Sequence, residues 1–350
     1  MIPMELLSFF ASTRARAGLL SVLAVLMLGL CSLQASASNS AVVFMYHRFG
    51  ESDMPSTNIQ ISQLKEHLKE LKSGGYKVLP LGKVVEAMRK GEDLPDRTVA
   101  ITVDDAYRSL YTKAWPLFKE AGIPITLFVA TDTVDLGGKK YMNWDQIREL
   151  QKAGVTIGSQ TKSHPHMTEI SLEMVKAELD QANARIKSEL GETPTLFAYP
   201  YGEYSRAVRD IVAQRGFVAA FGQNSGVVYP GLDPQGLPRF ALNETYGGID
   251  RFRLAANALP MLASDILPKD PLIKDNPPAF GFTVARELKG IEQLACFASG
   301  QGRVRIERLE RRVEVRLRET FPPGRARINC TMPGPNGRWR WFGVQFVIRE

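Results

Sequence analysis

Between residues 41 and 245 the chain switches repeatedly between two hydrophobic periods. Short apolar runs occur at Ala41–Tyr46, Thr98–Val103, Ile125–Ala130, Val155–Ile157, Thr195–Tyr199 and Phe217–Phe221. Between them lie stretches with helical spacing, predicted over 61–73, 107–121, 144–153, 172–190 and 205–215. Gly74-Gly75, Gly122 and Gly191 supply the stops after three of these helices. Apolar strands alternating with helices of this length predict repeated βαβ units around a parallel sheet. About seven such units favour closure into a (β/α) barrel over an open sheet. No internal sequence repeat is visible.

Residues 260–283 break the pattern, being rich in Pro without a clear period, and are expected to be a linker. From 284 to 350 the period becomes two: Val304, Ile306, Val313, Val315 and Leu317 alternate with Arg and Glu. A small C-terminal antiparallel β-sandwich is predicted there, behind a barrel domain spanning 38–259.

The N-terminus reads as a signal peptide over 1–37. Arg14 and Arg16 precede an apolar run from Ala17 to Leu30, and Ala35-Ser36-Ala37 offers a cleavage site. The run is short for a membrane span, although an uncleaved anchor is the alternative. Cys31 would invite lipidation, but Leu30 stands where a small residue is expected. An exported protein, periplasmic or extracellular, is the expectation. Cleavage leaves Cys296 and Cys330, which in an exported chain suggest a disulfide worth about 3–4 kcal/mol on the chain-entropy model; two buried free thiols are the alternative.

The net charge of +7 is unevenly placed, since residues 284–350 alone hold 14 Lys/Arg against 7 Asp/Glu. The barrel segment is therefore close to neutral and is not built for a polyanion. Nucleic acid is not an expected partner of an exported protein. The arginines from Arg303 to Arg318 could meet anionic glycan or membrane, but Glu307, Glu310, Glu314 and Glu319 interleave them, which favours a solvated strand face.

Three clusters at predicted strand ends carry chemistry, where barrel active sites gather. Asp104-Asp105 ends a fully apolar strand, and paired carboxylates there are costly unless their charge is used. One can face a metal and the other a water, whereas a helix N-cap would need only one Asp. Ser159-Gln160-Thr161-Lys162-Ser163-His164-Pro165-His166 holds two of the four histidines, the side chain most used for divalent metals. Tyr199-Pro200-Tyr201-Gly202 is a turn able to aim a backbone N–H, the raw material of an oxyanion hole, though such turns are mostly structural.

Together with Met45-Tyr46-His47, the stretch Tyr111–Ala130, and Asn143-Trp144-Asp145 leading into Gly154–Ser159, these clusters resemble the polysaccharide deacetylase family, the NodB-homology domain of family 4 carbohydrate esterases. The resemblance covers roughly 41–245. It implies a distorted (β/α) barrel that removes N-acetyl groups from N-acetylglucosamine-containing glycans with a divalent metal, most often zinc. Asp104 matches the catalytic base, Asp105 and His164 match metal ligands, and the Tyr201 N–H matches the oxyanion donor. The Tyr46-His47 and Tyr199–Gly202 forms resemble the subgroup acting on exopolysaccharide and poly-N-acetylglucosamine.

Three departures stand out. Gln160 occupies the place of the first metal-binding His; its amide oxygen is a weaker donor, and His166 is a candidate to move in. Ala198 replaces the Arg that orients the catalytic Asp, for which Arg239 is a candidate substitute. No His follows His166, so a histidine general acid would have to be His47 or His166; His67, in a helix, is expected to be exposed. These departures keep two alternatives open: a degenerate deacetylase that only binds glycan, and a cyclic amide hydrolase of the same fold.

Overall fold

The computed structural model describes residues 39–349. The expected signal peptide, with Cys31, lies outside the described residues. β1 (Ala41–Tyr46) is buried along its whole length, as a barrel strand covered on both faces must be. β2 (Arg48–Phe49) and β3 (Asn58–Ile59) form a separate short parallel ribbon. The main sheet continues with β4 (Lys77–Val78), β5 (Thr98–Val103), β6 (Ile125–Val129), β7 (Thr156–Ser159), β8 (Leu196–Ala198), β9 (Ala219–Phe221) and β10 (Phe240–Ala241). All its pairs are parallel, in the order β10-β1-β5-β6-β7-β8-β9, with β4 beside β5. The ends of this path approach each other where Phe221 bridges Leu237, just before β10. The seven-stranded distorted barrel is thus present.

The helices Ile61–Ser73 and Leu172–Leu190 have the predicted bounds. The helix Leu81–Lys90, which turns Leu81, Val84 and Val85 inward, was not among those predicted. The stretch predicted as one helix over 107–121 instead opens with a π-helical turn, Leu110–Ala114, followed by an α-helix, Trp115–Ala121. Pro116 has no N–H to donate, so it suits a position where one register of bonds gives way to another.

His67 corrects its expectation. It has no exposed surface, stacks on Phe252 at 4.2 Å, and makes contacts of 3.0 Å with the Tyr46 hydroxyl and 2.8 Å with the Gly247 carbonyl. It sits on the inner stripe of its helix with Leu64, Leu68 and Leu71, so a polar residue type concealed a core position.

A second sheet follows: β11 (Leu259–Pro260), β12 (Ala263–Leu267), β13 (Leu272–Ile273), β14 (Phe280–Val284), β15 (Ala295–Ala298), β16 (Gly302–Leu309), β17 (Arg312–Arg316), β18 (Gly324–Pro333) and β19 (Trp339–Ile348). β16 pairs with β15 through its first residues and with β17 through its last, passing from one layer to the other. Phe280 and Phe282 of β14 then pack against Phe342 of β19. The sheet is mixed rather than purely antiparallel, because β11 and β13 run parallel to β19. Residues 260–283, read as a linker, contribute strands here. Met261, Ile273, Phe280 and Phe282 are buried in the sandwich core, and that burial overrides the Pro-rich composition.

Cys296 and Cys330 form a disulfide. They are direct partners on neighbouring antiparallel strands β15 and β18, so the bridge pins a register within one layer. The sandwich rests on the barrel through Trp341, edge-on to Phe240 at 5.3 Å, and through an Arg338–Asp96 ion pair at 2.8 Å. The backbones meet closely at Gly343, where a Cβ would lie 2.2 Å from the Ser225 carbonyl oxygen.

Candidate active site

β5 delivers Asp104 and Asp105 at its C-terminal end. Asp104 is fully buried and its charge is answered by one residue: Arg239 donates from Nη1 to Oδ1 at 2.7 Å and from Nη2 to Oδ2 at 2.8 Å. Arg239 is itself fixed by bonds to the Gly222 carbonyl and the Thr102 hydroxyl. The guanidinium therefore reaches Asp104 from the segment before β10. The Nε2 atom of His47 lies 3.9 Å from Asp104 Oδ2.

Asp105 turns away from that pair because its backbone takes φ 72°. Its Oδ1 lies 3.4 Å from His164 Nε2 and, although buried, has no hydrogen-bond partner. Burial by itself raises the Asp105 pKa; the facing His164 imidazole and the charge of His47 outweigh it and hold the carboxyl at about 2. Gln160 stands between the two: its Oε1 accepts from the Asp105 N–H at 3.1 Å and its Nε2 lies 3.2 Å from His164 Nε2. His166 is drawn elsewhere, with Nδ1 at 2.7 Å from Glu203 and its ring stacked on Tyr201 at 4.0 Å.

The Pro200-Tyr201-Gly202 turn completes the constellation. Tyr201 has φ 59°, and its ring meets His164 edge-on at 4.7 Å. Gly202 follows at φ +70°, where a Cβ would come 2.5 Å from the Gln223 nitrogen. Of the ten non-glycine residues with positive φ among the described residues, five belong to these loops: Asp105, Ala106, Thr161, His164 and Tyr201. Such conformations each cost about 1–3 kcal/mol and persist where surrounding structure enforces them.

The site opens into a cleft of about 780 Å³ lined by His47, Asp105, His164 and Tyr201. The sequence reading missed its other lining residues. Tyr107 and Tyr141 stack on each other at 5.0 Å along one side. Arg251 comes from the helix Ile249–Ala256, and Arg325, Arg327 and Asn329 come from β18. Gln345 of β19 ties the sandwich to the oxyanion turn, donating to the carbonyls of Tyr201 at 3.1 Å and Gly202 at 3.0 Å. The signal available was the alternation 325/327/329 against 326/328/330.

A carboxylate oxygen without a partner and an imidazole nitrogen stand 3.4 Å apart, donors that suit a divalent cation, and beside them Gln160 turns its Nε2 to His164 and its oxygen to the Asp105 N–H. Among the described residues no three His, Cys, Asp or Glu side chains are placed to hold a metal ion.

Residues 91–220 match the family model for polysaccharide deacetylase, and this range contains Asp104, Asp105, Gln160, His164 and Tyr201. Over these residues the barrel is similar to the polysaccharide deacetylases. A Bacillus subtilis protein assigned to the polysaccharide deacetylases is 22% identical over 175 residues, covering 50% of this chain and 61% of its own. The Staphylococcus aureus poly-β-1,6-N-acetyl-D-glucosamine N-deacetylase is 24% identical over 215 residues, covering 57% of this chain and 73% of its own. The chain therefore spans less than two thirds of the first of these relatives. Among solved structures, a Streptococcus pyogenes deacetylase in complex with acetate superposes with TM-score 0.57 at 20% identity, over 62% of this chain and 98% of that one. IcaB from Ammonifex degensii superposes with TM-score 0.55 at 24% identity, over 61% and 96%. At these identities the superpositions speak for the deacetylase fold alone. Among the described residues no helix is long and apolar enough to cross a membrane.

Proposed function

We propose that the protein is a divalent-cation-dependent hydrolase that removes N-acetyl groups from an N-acetylglucosamine-containing glycan outside the cytoplasm. The observation that carries this reading is the division of labour between adjacent carboxylates. Asp104 is clamped by Arg239, and Asp105 faces His164 with an unpartnered oxygen. Asp105 and His164 would hold the cation, zinc being the first candidate, with the Gln160 amide as third donor. When bound, such a cation supplies Lewis acidity, polarising the acetamide carbonyl and lowering the pKa of a water.

This chain's own residues do the rest. Asp104 accepts the proton of the attacking water, and Arg239 fixes the orientation of its carboxylate. The Tyr201 N–H donates to the carbonyl oxygen as it gains negative charge. His47, between Asp104 and the cleft, protonates the leaving amine. Tyr107 and Tyr141 give the sugar rings an apolar face. The S. aureus relative's substrate, poly-β-1,6-N-acetyl-D-glucosamine, supports an N-acetylglucosamine polymer as the substrate class.

The test is acetate release from defined N-acetylglucosamine oligomers by the exported protein, with metal content measured in parallel. Acetate and free amine should appear in equal amounts, vanish with a chelator and return with added divalent ion. Metal-loaded protein that binds the oligomers and releases no acetate would overturn the reading. That result would favour glycan binding without turnover, the alternative that Gln160, Ala198 and the missing late histidine keep open.

A further inference from the structure

Strand alternation decides what β18 shows to the cleft. Ala326, Ile328 and Cys330 are buried in the sandwich core, so Arg325, Arg327 and Asn329 face the other way and line the cleft. Arg251 joins them from the barrel. Against these three guanidiniums, the described cleft lining holds one carboxylate, Asp105, which belongs to the catalytic end.

Arg325 has a partial counter-charge in Glu203, 3.6 Å from its Nε. Arg327 and Arg251 have no carboxylate within ion-pair reach among the described residues. Arg327 Nε donates to the neutral Gln345 amide at 2.9 Å. Arg251 lies over the Trp341 ring at 4.7 Å, with Nη1 buried and without a hydrogen-bond partner. Burial lowers the pKa of both, and the Arg325 charge lowers that of Arg327 further.

Two arginines on the neighbouring strands are paired instead. On β16 and β17, Arg316 pairs with Glu307 and Arg312 with Glu314, each at 2.7 Å. Like charges two residues apart on one strand face repel each other. A guanidinium withdrawn from water without a counter-ion is costly. The chain tolerates both penalties at the substrate cleft, where a bound anion offsets them. Guanidiniums match the planar, bidentate geometry of carboxylate and phosphate.

We propose, resting on the deacetylase reading, that the substrate is an acidic glycan. Its acetamido sugar bears, or is joined to a sugar that bears, a carboxylate or phosphate group. Arg251 and Arg327 bind that group, and Arg325 stands at the rim. A plain N-acetylglucosamine polymer fits this wall less well, because each acetyl group removed leaves an ammonium that the arginines repel. All three arginines lie outside residues 91–220, so the wall is added to the matched part of the domain.

The test is calorimetric titration of the exported protein at low and at physiological salt. One set of probes is chitohexaose against hyaluronan and heparosan hexasaccharides, in which glucuronate alternates with N-acetylglucosamine. The other is N-acetylglucosamine against its 6-phosphate. The two sets separate carboxylate from phosphate. In at least one set the acidic sugar should bind about tenfold tighter or better at low salt, the range of one charge-assisted hydrogen bond. That preference should shrink as salt rises. R251Q and R327Q should each cut the acidic-to-neutral ratio roughly fivefold or more, whereas R305Q, on β16, should leave the ratio unchanged. Equal binding of acidic and neutral sugars in both sets, or a ratio indifferent to R251Q and R327Q, overturns the proposal. Acetate release from the same sugars scores the deacetylase reading separately. Protein that prefers the acidic sugar through these arginines and releases no acetate loses the enzyme assignment and keeps the anion site.

Discussion

Arg239, buried behind Asp104, and Arg251, lining the cleft, are both withdrawn from solvent, yet their surroundings differ. Arg239 has no exposed surface, donates to both oxygens of Asp104, and is further bound to Gly222 and Thr102. Arg251 is half-buried over Trp341 and leaves one nitrogen without a partner. The first is a finished internal ion pair whose purpose is to fix a carboxylate. The second is unfinished within the protein. The same difference separates the two walls. The barrel wall around Asp104 holds a carboxylate already paired, and the arginine wall, Arg251 of the barrel with Arg325 and Arg327 of the sandwich, holds charges available to a ligand.

The largest expected effect tests the barrel wall. Asp104→Asn should reduce acetate release about 10³-fold or more, since it removes the base while leaving Asp105, His164 and Gln160 in place to bind metal. Turnover and metal content measured together, on protein shown to be folded, check this. Wild-type acetate release from the variant would break the assignment of chemistry to this wall.

Next is the ion pair itself. Arg239→Gln leaves Asp104 buried without its counter-charge, which should cost about 3–5 kcal/mol of unfolding free energy. Arg251→Gln removes a charge that has no protein partner and should cost far less. Urea unfolding of the two variants side by side measures the contrast. Equal losses would mean that the two guanidiniums are equivalent after all.

The barrel was far more legible than the sandwich, and physical reasons account for the difference. Strand and helix periods in 41–245 are set by local burial, so β1, β5 and β6 and the helices 61–73 and 172–190 fall where the sequence places them. Asp104, Asp105, Gln160, His164 and Tyr201 lie in short contiguous motifs. Arg239 was visible only as a candidate for a missing role, because its partner is 135 positions away in sequence. Arg325 and Arg327 were less visible still. Alternating Arg looks the same whether the face meets water or a cleft, and only the docking of the sandwich through Trp341, Gly343 and Gln345 decides which. His67 failed for a related reason, as its partners Tyr46, Gly247 and Phe252 come from distant segments.

The disulfide offers a way to weaken the sandwich wall without touching the barrel wall. Replacing both Cys296 and Cys330 by Ala should lower the unfolding free energy by about 3–4 kcal/mol, the chain-entropy value for a loop of this length. Free thiols titrated in the native, unreduced protein would remove the premise. In folded variant protein the loss should appear first in substrate affinity, because the cross-strand pair holds the register of β18 and hence of Arg325 and Arg327.

A slightly smaller effect, confined to the barrel, comes from His67. Its Nε2–H donates to the Gly247 carbonyl and its Nδ1 accepts from Tyr46, so the neutral ring is the form the fold accommodates. Burial lowers its pKa from 6.5 to about 4. Between those values the unfolded chain binds the proton and the folded one does not. The stabilisation is therefore complete above pH 6.5 and is lost as pH falls towards 4, by about 3 kcal/mol in total. Urea midpoints between pH 7 and 4 should fall more steeply for wild type than for His67→Gln, whose amide can keep both bonds without titrating. Parallel curves would show that the ring is not held neutral.

The smallest effect is the sharpest probe of the barrel wall, because it changes one donor and nothing else. Gln160 stands where the proposal needs a third ligand: its amide bridges the Asp105 N–H and His164. An amide oxygen is a neutral and weaker donor than imidazole for a borderline-soft ion. In this chain that oxygen is also engaged by the Asp105 N–H, so part of its donor capacity is already spent. Gln160→His should therefore tighten zinc binding by about tenfold, the lower end of what one improved ligand contact provides. Competition with a chromophoric chelator reads this directly, independent of turnover. The change in acetate release has no fixed sign, since a more strongly held ion does not always acidify its water further. Zinc affinity unchanged in Gln160→His would show that position 160 orients Asp105 through its backbone N–H and does not reach the ion. The cation would then rest on Asp105 and His164 alone, and the site would depend on substrate to complete its shell. In that case zinc affinity measured with bound oligosaccharide should exceed that of the free protein, an increase a complete three-residue site would not show.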